Sequence, residues 1–73
     1  MRERIDIEIR EGDRYIGFYA NGKWIQGCRK CYLLAVMYEL IDRYSSYPCD
    51  VYFTIGGYEE DENVRQRMSK SSR

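Results

Sequence analysis

Seventy-three residues leave room for one domain, with a core that supplies roughly 3–5 kcal/mol of net stability. Twelve basic side chains balance twelve acidic ones, so the chain as a whole has no general attraction for nucleic acid or anionic membrane. Histidine is absent, which removes histidine-based triads and most enzymatic metal sites, while eight tyrosines and one tryptophan favour a contact surface.

The N-terminal residues Met1-Arg2-Glu3-Arg4-Ile5 lack the apolar centre of a signal peptide. Further on, Ile5, Ile7 and Ile9 alternate with Asp6, Glu8 and Arg10, the period of a half-buried strand. A turn at Glu11-Gly12-Asp13 leads to a second strand over residues 14–20. Asn21-Gly22 is a strong hairpin signal, because a type I′ turn needs positive φ at both positions. Residues 23–28 complete a three-stranded meander.

The turns set an expected register. A two-residue turn at Asn21-Gly22 pairs Tyr19 with Trp24 and Phe18 with Ile25. One at Gly12-Asp13 pairs Ile9 with Ile16 and Ile7 with Phe18. The isoleucines and Phe18 then share one face, because a one-residue slip would exchange the faces. The other face carries Asp6, Glu8, Arg10, Tyr15, Tyr19, Trp24 and Gln26.

Residues 29–44 predict a helix. At 100° per residue, Leu33, Met37, Leu40 and Tyr44 form one stripe, flanked by Val36, Leu34 and Ile41, with Tyr32 and Tyr38 at its margins. The longest apolar run, residues 31–38, is far shorter than the ~20 residues of a membrane span. Ser45-Ser46-Tyr47-Pro48 ends the helix. Val51, Phe53 and Ile55 alternate with Tyr52 and Thr54 as a fourth strand, which Gly56-Gly57 stops.

The expectation is an α+β domain over residues 1–58, β-β-β-α-β in order. One helix covers the aliphatic face, and a right-handed crossover sets the fourth strand parallel to the first. This order resembles the partial ribonuclease-H-like fold of HicB-type antitoxins, a likeness of topology alone. A ribonuclease H site needs carboxylates that converge at strand ends to hold two metals. Asp6 and Glu8 face away from the aliphatic side, and the fourth strand has no acid between Val51 and Ile55, so no nuclease site is expected. Residues 59–73 hold four consecutive acids, then Arg65, Arg67, Lys70 and Arg73, with Val64 and Met68 as the apolar pair; acids before bases suit a short frayed helix, but the stretch reads rather as a charged, flexible tail.

Four groups of residues are candidates for chemistry or contact. Cys28-Arg29-Lys30-Cys31 has the spacing of a thiol-redox motif near a helix start, but a meander precedes it, and two packed thiols are the simpler reading. Cys28, Cys31 and Cys49, with Asp50, offer zinc ligands, but a helix roughly 20 Å long separates Cys49 from the other two. Tyr15, Tyr19 and Trp24, joined by Tyr52, Arg10 and Lys23, form an aromatic sheet face suited to a protein partner or to stacked bases. Cross-strand stabilisation is its plainer role. Tyr32 and Tyr38 mark a surface for a homodimer.

The functional expectation is a non-enzymatic protein-binding module of the inhibitor, antitoxin or phage- or virus-encoded modulator kind, with the aromatic face as its site. Single-stranded nucleic-acid binding is the alternative and CxxC thiol-redox chemistry a second one. No cofactor, metal or membrane is expected. An odd number of cysteines argues against a disulfide framework and for a cytoplasmic location, in the host cell if the protein is viral.

Overall fold

A computed structural model of the chain describes residues 3–45 and 49–71. Strands β1 (Glu3–Glu11), β2 (Tyr15–Ala20) and β3 (Lys23–Arg29) are followed by a 3-10 turn at Lys30–Tyr32 and helix α1 (Leu33–Tyr44). Strand β4 (Cys49–Tyr58) and helix α2 (Asp61–Ser71) complete the chain. The sheet runs β3-β2-β1-β4, with β1 antiparallel to β2 and parallel to β4. This is the expected α+β arrangement with one added helix.

The isoleucine alternation builds the first layer. Ile7, Ile9, Ile16 and Phe18 are buried with Val36 and Leu40 of α1. Around them pack Ile5, Ile25, Leu33, Met37, Tyr44, Val51 and Phe53. Burial of one such aliphatic side chain contributes about 2 kcal/mol.

Both hairpins depart from the expected register, the first without exchanging faces and the second through a bulge that exchanges them beyond it. The first turns at Asp13-Arg14, where the Gly12 N–H donates to the Tyr15 carbonyl at 2.8 Å, one residue later than expected. Ile9 therefore faces Phe18 and Ile7 faces Ala20. A one-residue move of a turn shifts pairing by two, so every side chain keeps its side. The second hairpin keeps its Asn21-Gly22 turn, with φ of 51° and 86°, and pairs Tyr19 with Trp24. A bulge then sets Phe18 opposite Gln26 instead of Ile25. Beyond it Cys28 joins Ile16 on the α1 side and Gly27 faces the other way with Gly17. Gln26, expected on the aromatic face, accepts a hydrogen bond at 3.3 Å from Arg43 of α1.

Two boundaries also move, while α1 ends at Tyr44 as expected. α1 starts at Leu33 because β3 runs to Arg29 and the 3-10 turn intervenes. At the other end the Ser45 N–H donates to Ile41 at 2.7 Å, while the expected stop at Ser46-Tyr47-Pro48 lies outside the described residues. Gly56-Gly57 does not stop β4. The pairing steps from Ile9–Ile55 to Glu11–Tyr58, so the glycines are taken up in a bulge.

Residues 59–73, expected as a flexible tail, contain α2, which packs on β2 and β3. Val64 is fully buried there. A Cβ on Gly27 would lie 2.6 Å from the Trp24 ring and 2.9 Å from Val64 Cγ1, so the bare glycine lets the helix and indole approach the sheet.

The two sides of α1 predict different costs of truncation. Leu40→Ala should destabilise the fold by about 3 kcal/mol, as a buried leucine does. Leu34→Ala, on the exposed side, should stay within about 0.5 kcal/mol. Urea unfolding measures both, and equal costs would contradict the orientation of the helix.

Candidate functional site

The aromatic face is assembled largely as the sequence implies, but α2 lies over much of it. Tyr19 and Trp24 meet edge to face, with ring centroids 5.7 Å apart and planes at 81°. Arg10 stacks on Tyr19, with Cζ 4.0 Å from the ring centre. Arg67 of α2 stands 5.6 Å from the Tyr19 ring and 5.4 Å from that of Trp24. The Tyr19 hydroxyl donates to Glu59 at 3.0 Å, and Arg10 pairs with the same carboxylate at 3.7 Å. Tyr19 is only 3% exposed and Trp24 half-buried. The expectation that both offer open rings to a partner is corrected for Tyr19, whose ring α2 and Glu59 already engage.

The remaining aromatic-face candidates are dispersed. Tyr52 lies on β4 under Arg4, 4.1 Å from its guanidinium carbon. Lys23 is exposed at the hairpin turn. Tyr15 lines an open cleft of about 530 Å3 with Asp13, Arg14, Arg29, Asp61 and Arg65.

Asp61 holds α2 in place. Both of its carboxylate oxygens accept from the Arg14 N–H at 3.1 Å, and one also accepts from the Tyr15 N–H at 3.1 Å. The Arg14 amide bond, with those of Tyr15 and Asp13, lowers the Asp61 pKa against a smaller opposing effect of desolvation. The Glu59 N–H adds a bond to the Glu11 carbonyl at 3.2 Å. Gly12 sits beneath this junction, where a Cβ would collide with Asp61 Oδ1 and the Glu59 carbonyl.

The cysteines are placed unlike a redox or zinc centre. Cys28 is buried and Cys31 exposed. Burial, reinforced by Cys31, pushes the Cys28 thiol up to about 11, opposite to the shift that a catalytic thiolate needs. Cys28 and Cys49 lie on the two opposite edge strands. Among the described residues no three His, Cys, Asp or Glu side chains gather as a metal site, and no helix is long and apolar enough to cross a membrane.

A second surface emerges on the α1 side. Taking Leu33 as zero, Leu34, Ile41 and Tyr38 fall at roughly 100°, 80° and 140° around the helix, and Arg43 at roughly 280°. The Arg43–Gln26 bond turns its flank towards β3, so the Leu34, Ile41 and Tyr38 flank is turned towards β4. Leu34 is 68% exposed and Tyr38 72%. Ile55, on the same face of β4 as Phe53, is 70% exposed. In the sequence Leu34 and Ile41 flank the apolar stripe of the helix, and Ile55 belongs to the alternation of the fourth strand. Their exposure follows from a helix too narrow to cover all four strands. The expected contact residue Tyr38 belongs to this surface, while Tyr32 is exposed in the 3-10 turn before the helix.

No protein-family model, curated protein or solved structure matches the chain. The likeness to HicB-type antitoxins therefore stays one of strand order.

The lowered pKa makes the attachment of α2 depend on pH. The Asp61 contribution is fully present above the ordinary carboxylate pKa and is lost as pH falls through the lowered folded value. Acidification in that range, or Asp61→Ala at neutral pH, should release α2 and shift Trp24 fluorescence to the red. Unchanged emission in Asp61→Ala would show that Val64 and the Glu59 contacts hold the helix unaided.

Proposed function

We propose that this chain is a protein-binding module whose contact surface is the outer flank of α1 together with the edge of β4. The observation that carries the reading is the exposure of Leu34, Tyr38, Ile41 and Ile55 on the α1 side, beside the edge strand β4. Grouped apolar exposure of this kind marks contact sites on soluble proteins. An edge strand gives main-chain hydrogen bonds to an added segment, and alternate side chains give specificity. The chemistry fits a polypeptide that brings an extended stretch with apolar side chains.

The aromatic face contributes to this reading by stabilising the scaffold. Tyr19, Trp24, Arg10 and Arg67 fasten α2 to the sheet, so the surface on the α1 side is backed by a rigid layer. Preorganisation of that kind lowers the ordering cost of association.

Single-stranded nucleic-acid binding is a second reading, supported by the cleft of Tyr15, Arg14, Arg29 and Arg65. Asp13 and Asp61 share that cleft and oppose phosphate. Anisotropy of a labelled oligonucleotide decides it. A phosphate-bound complex weakens by orders of magnitude between low and moderate salt, whereas the protein-binding reading expects no complex at either.

A photo-cross-linking amino acid at Tyr38 should capture a polypeptide in cells that make the protein, and one at Asn63, exposed on α2, should not. Ile55→Lys should abolish the adduct at Tyr38. Equal capture from both positions would show that the surface is misplaced.

A further inference from the structure

The two edges of the sheet are protected unequally. β3 carries Lys23 and Arg29 at its ends and a bulge after Trp24. Charged ends and a bulge are the usual devices that prevent edge-to-edge pairing. β4 has ten residues, no lysine, arginine or proline, and one charged side chain, Asp50. Its bulge lies only at the far end, beyond Ile55. Seven residues of unbroken strand before that bulge, Val51 and Phe53 among them, pair with β1 on one side, and among the described residues no further strand lies on the other.

We infer that a second copy of this chain occupies the β4 edge, with the two β4 strands antiparallel about a two-fold axis and the two sheets joined into one of eight strands. The inference rests on the reading that the α1 flank and β4 edge are the contact surface, and it names the occupant.

Self-complementarity carries the choice of partner. In an antiparallel pair, directly opposed residues share a face, so a two-fold axis must pass through a residue opposed to its own copy. With Phe53 on the axis, Val51 lies opposite the partner's Ile55 and Ile55 opposite the partner's Val51. All the apolar residues of the outer strand then meet apolar residues. On the other face Tyr52 meets the partner's Thr54, and Asp50 meets the partner's Gly56, so no like charges are opposed. This arrangement leaves both α1 helices on the same side of the joined sheet. The β1 strands of the two copies stand three strand spacings apart, about 14 Å. The Leu34, Tyr38 and Ile41 flanks face one another above the floor of Val51, Phe53 and Ile55.

About 800 Å2 per partner is usual in a stable interface, with an apolar centre. The β4 backbone supplies the hydrogen bonds and the four exposed side chains supply the apolar part. Zero net charge leaves no overall repulsion between copies. A small core gains stability from association, and the pairing gives the outward backbone groups of the edge hydrogen-bond partners.

Light scattering on the purified chain at micromolar concentration tests the inference. The expected mass is twice 8.8 kDa. Ile55→Lys should return the mass to that of one chain with its circular dichroism unchanged, because the side chain is mostly exposed. Leu34→Glu is a second variant with the same expected outcome if Ile55→Lys fails to fold. Lys23→Glu, on the other edge, should remain a dimer. A single-chain mass for the unaltered protein overturns the inference, and so does a dimer that survives both Ile55→Lys and Leu34→Glu. The cross-linker at Tyr38 separates this failure from that of the broader reading. A single-chain mass with an adduct to a different protein removes only the dimer, and a single-chain mass with no adduct removes both.

Discussion

The amides of a hairpin turn need acceptors, and one carboxylate from the far end of the chain supplies them. Asp61 accepts from Arg14 and Tyr15, and most of the distinctive features of this molecule depend on that bond. An eleven-residue helix with few apolar residues is marginal alone. Fixed by its first residue to the β1–β2 turn, α2 lies along β2 and β3 and brings Val64 onto Gly27. The turn moves to Asp13-Arg14 to make the junction, and Gly12 leaves room for it. The sheet is consequently covered on both faces, by α1 on one and by α2 over half of the other.

That cover changes the meaning of the aromatic residues. Tyr, Trp and Arg together suggest a binding face, because those residues dominate contact energetics. The same chemistry serves intramolecular packing equally well. Arg10 on Tyr19, Arg67 between Tyr19 and Trp24, and the Tyr19–Glu59 hydrogen bond form an interface that happens to be internal. Composition cannot tell the two apart, since a helix docked on a sheet and a partner docked on a sheet use the same side chains.

Much of the fold was legible in the sequence because period-two alternation and turn chemistry are local. The isoleucines of β1, the Asn21-Gly22 turn and the Leu33–Leu40 stripe each specify their element without help from elsewhere. The parallel placement of β4 beside β1 follows from the crossover rule. What was not legible depends on contacts remote in sequence. The position of the first turn is set by Asp61, some 47 residues away. The bulge in β3 turns the bare face of Gly27 towards Val64 and buries Cys28, and neither need is visible in a six-residue window. The single apolar pair Val64 and Met68 was the available signal for α2, together with acids in its first turn and bases after them, the order that suits a helix dipole. The exposed site was legible only in part. Tyr38 stood out as a margin residue, but Ile55 and Leu34 carry no mark in the sequence that separates them from core.

Exposure at those positions is a consequence of width. Four strands at about 4.8 Å spacing make a sheet broader than one helix of about 10 Å diameter can cover. On the face shared with α1, Val51 and Phe53 pack against the core while Ile55 stays mostly exposed, so the shortage of cover falls on the Ile55 end of β4. Burial could have been completed by a second helix on that face, or the strand could have been made polar. Neither occurs: Val51, Phe53 and Ile55 remain apolar out to the edge, and the charges that guard an edge are spent on β3. Apolar alternation carried on to an exposed position such as Ile55 costs stability in an isolated molecule, and a polypeptide that covers it offsets that cost. The unequal edges, the turned helix and the uninterrupted alternation of β4 are thus what support the proposed contact surface on the side away from α2.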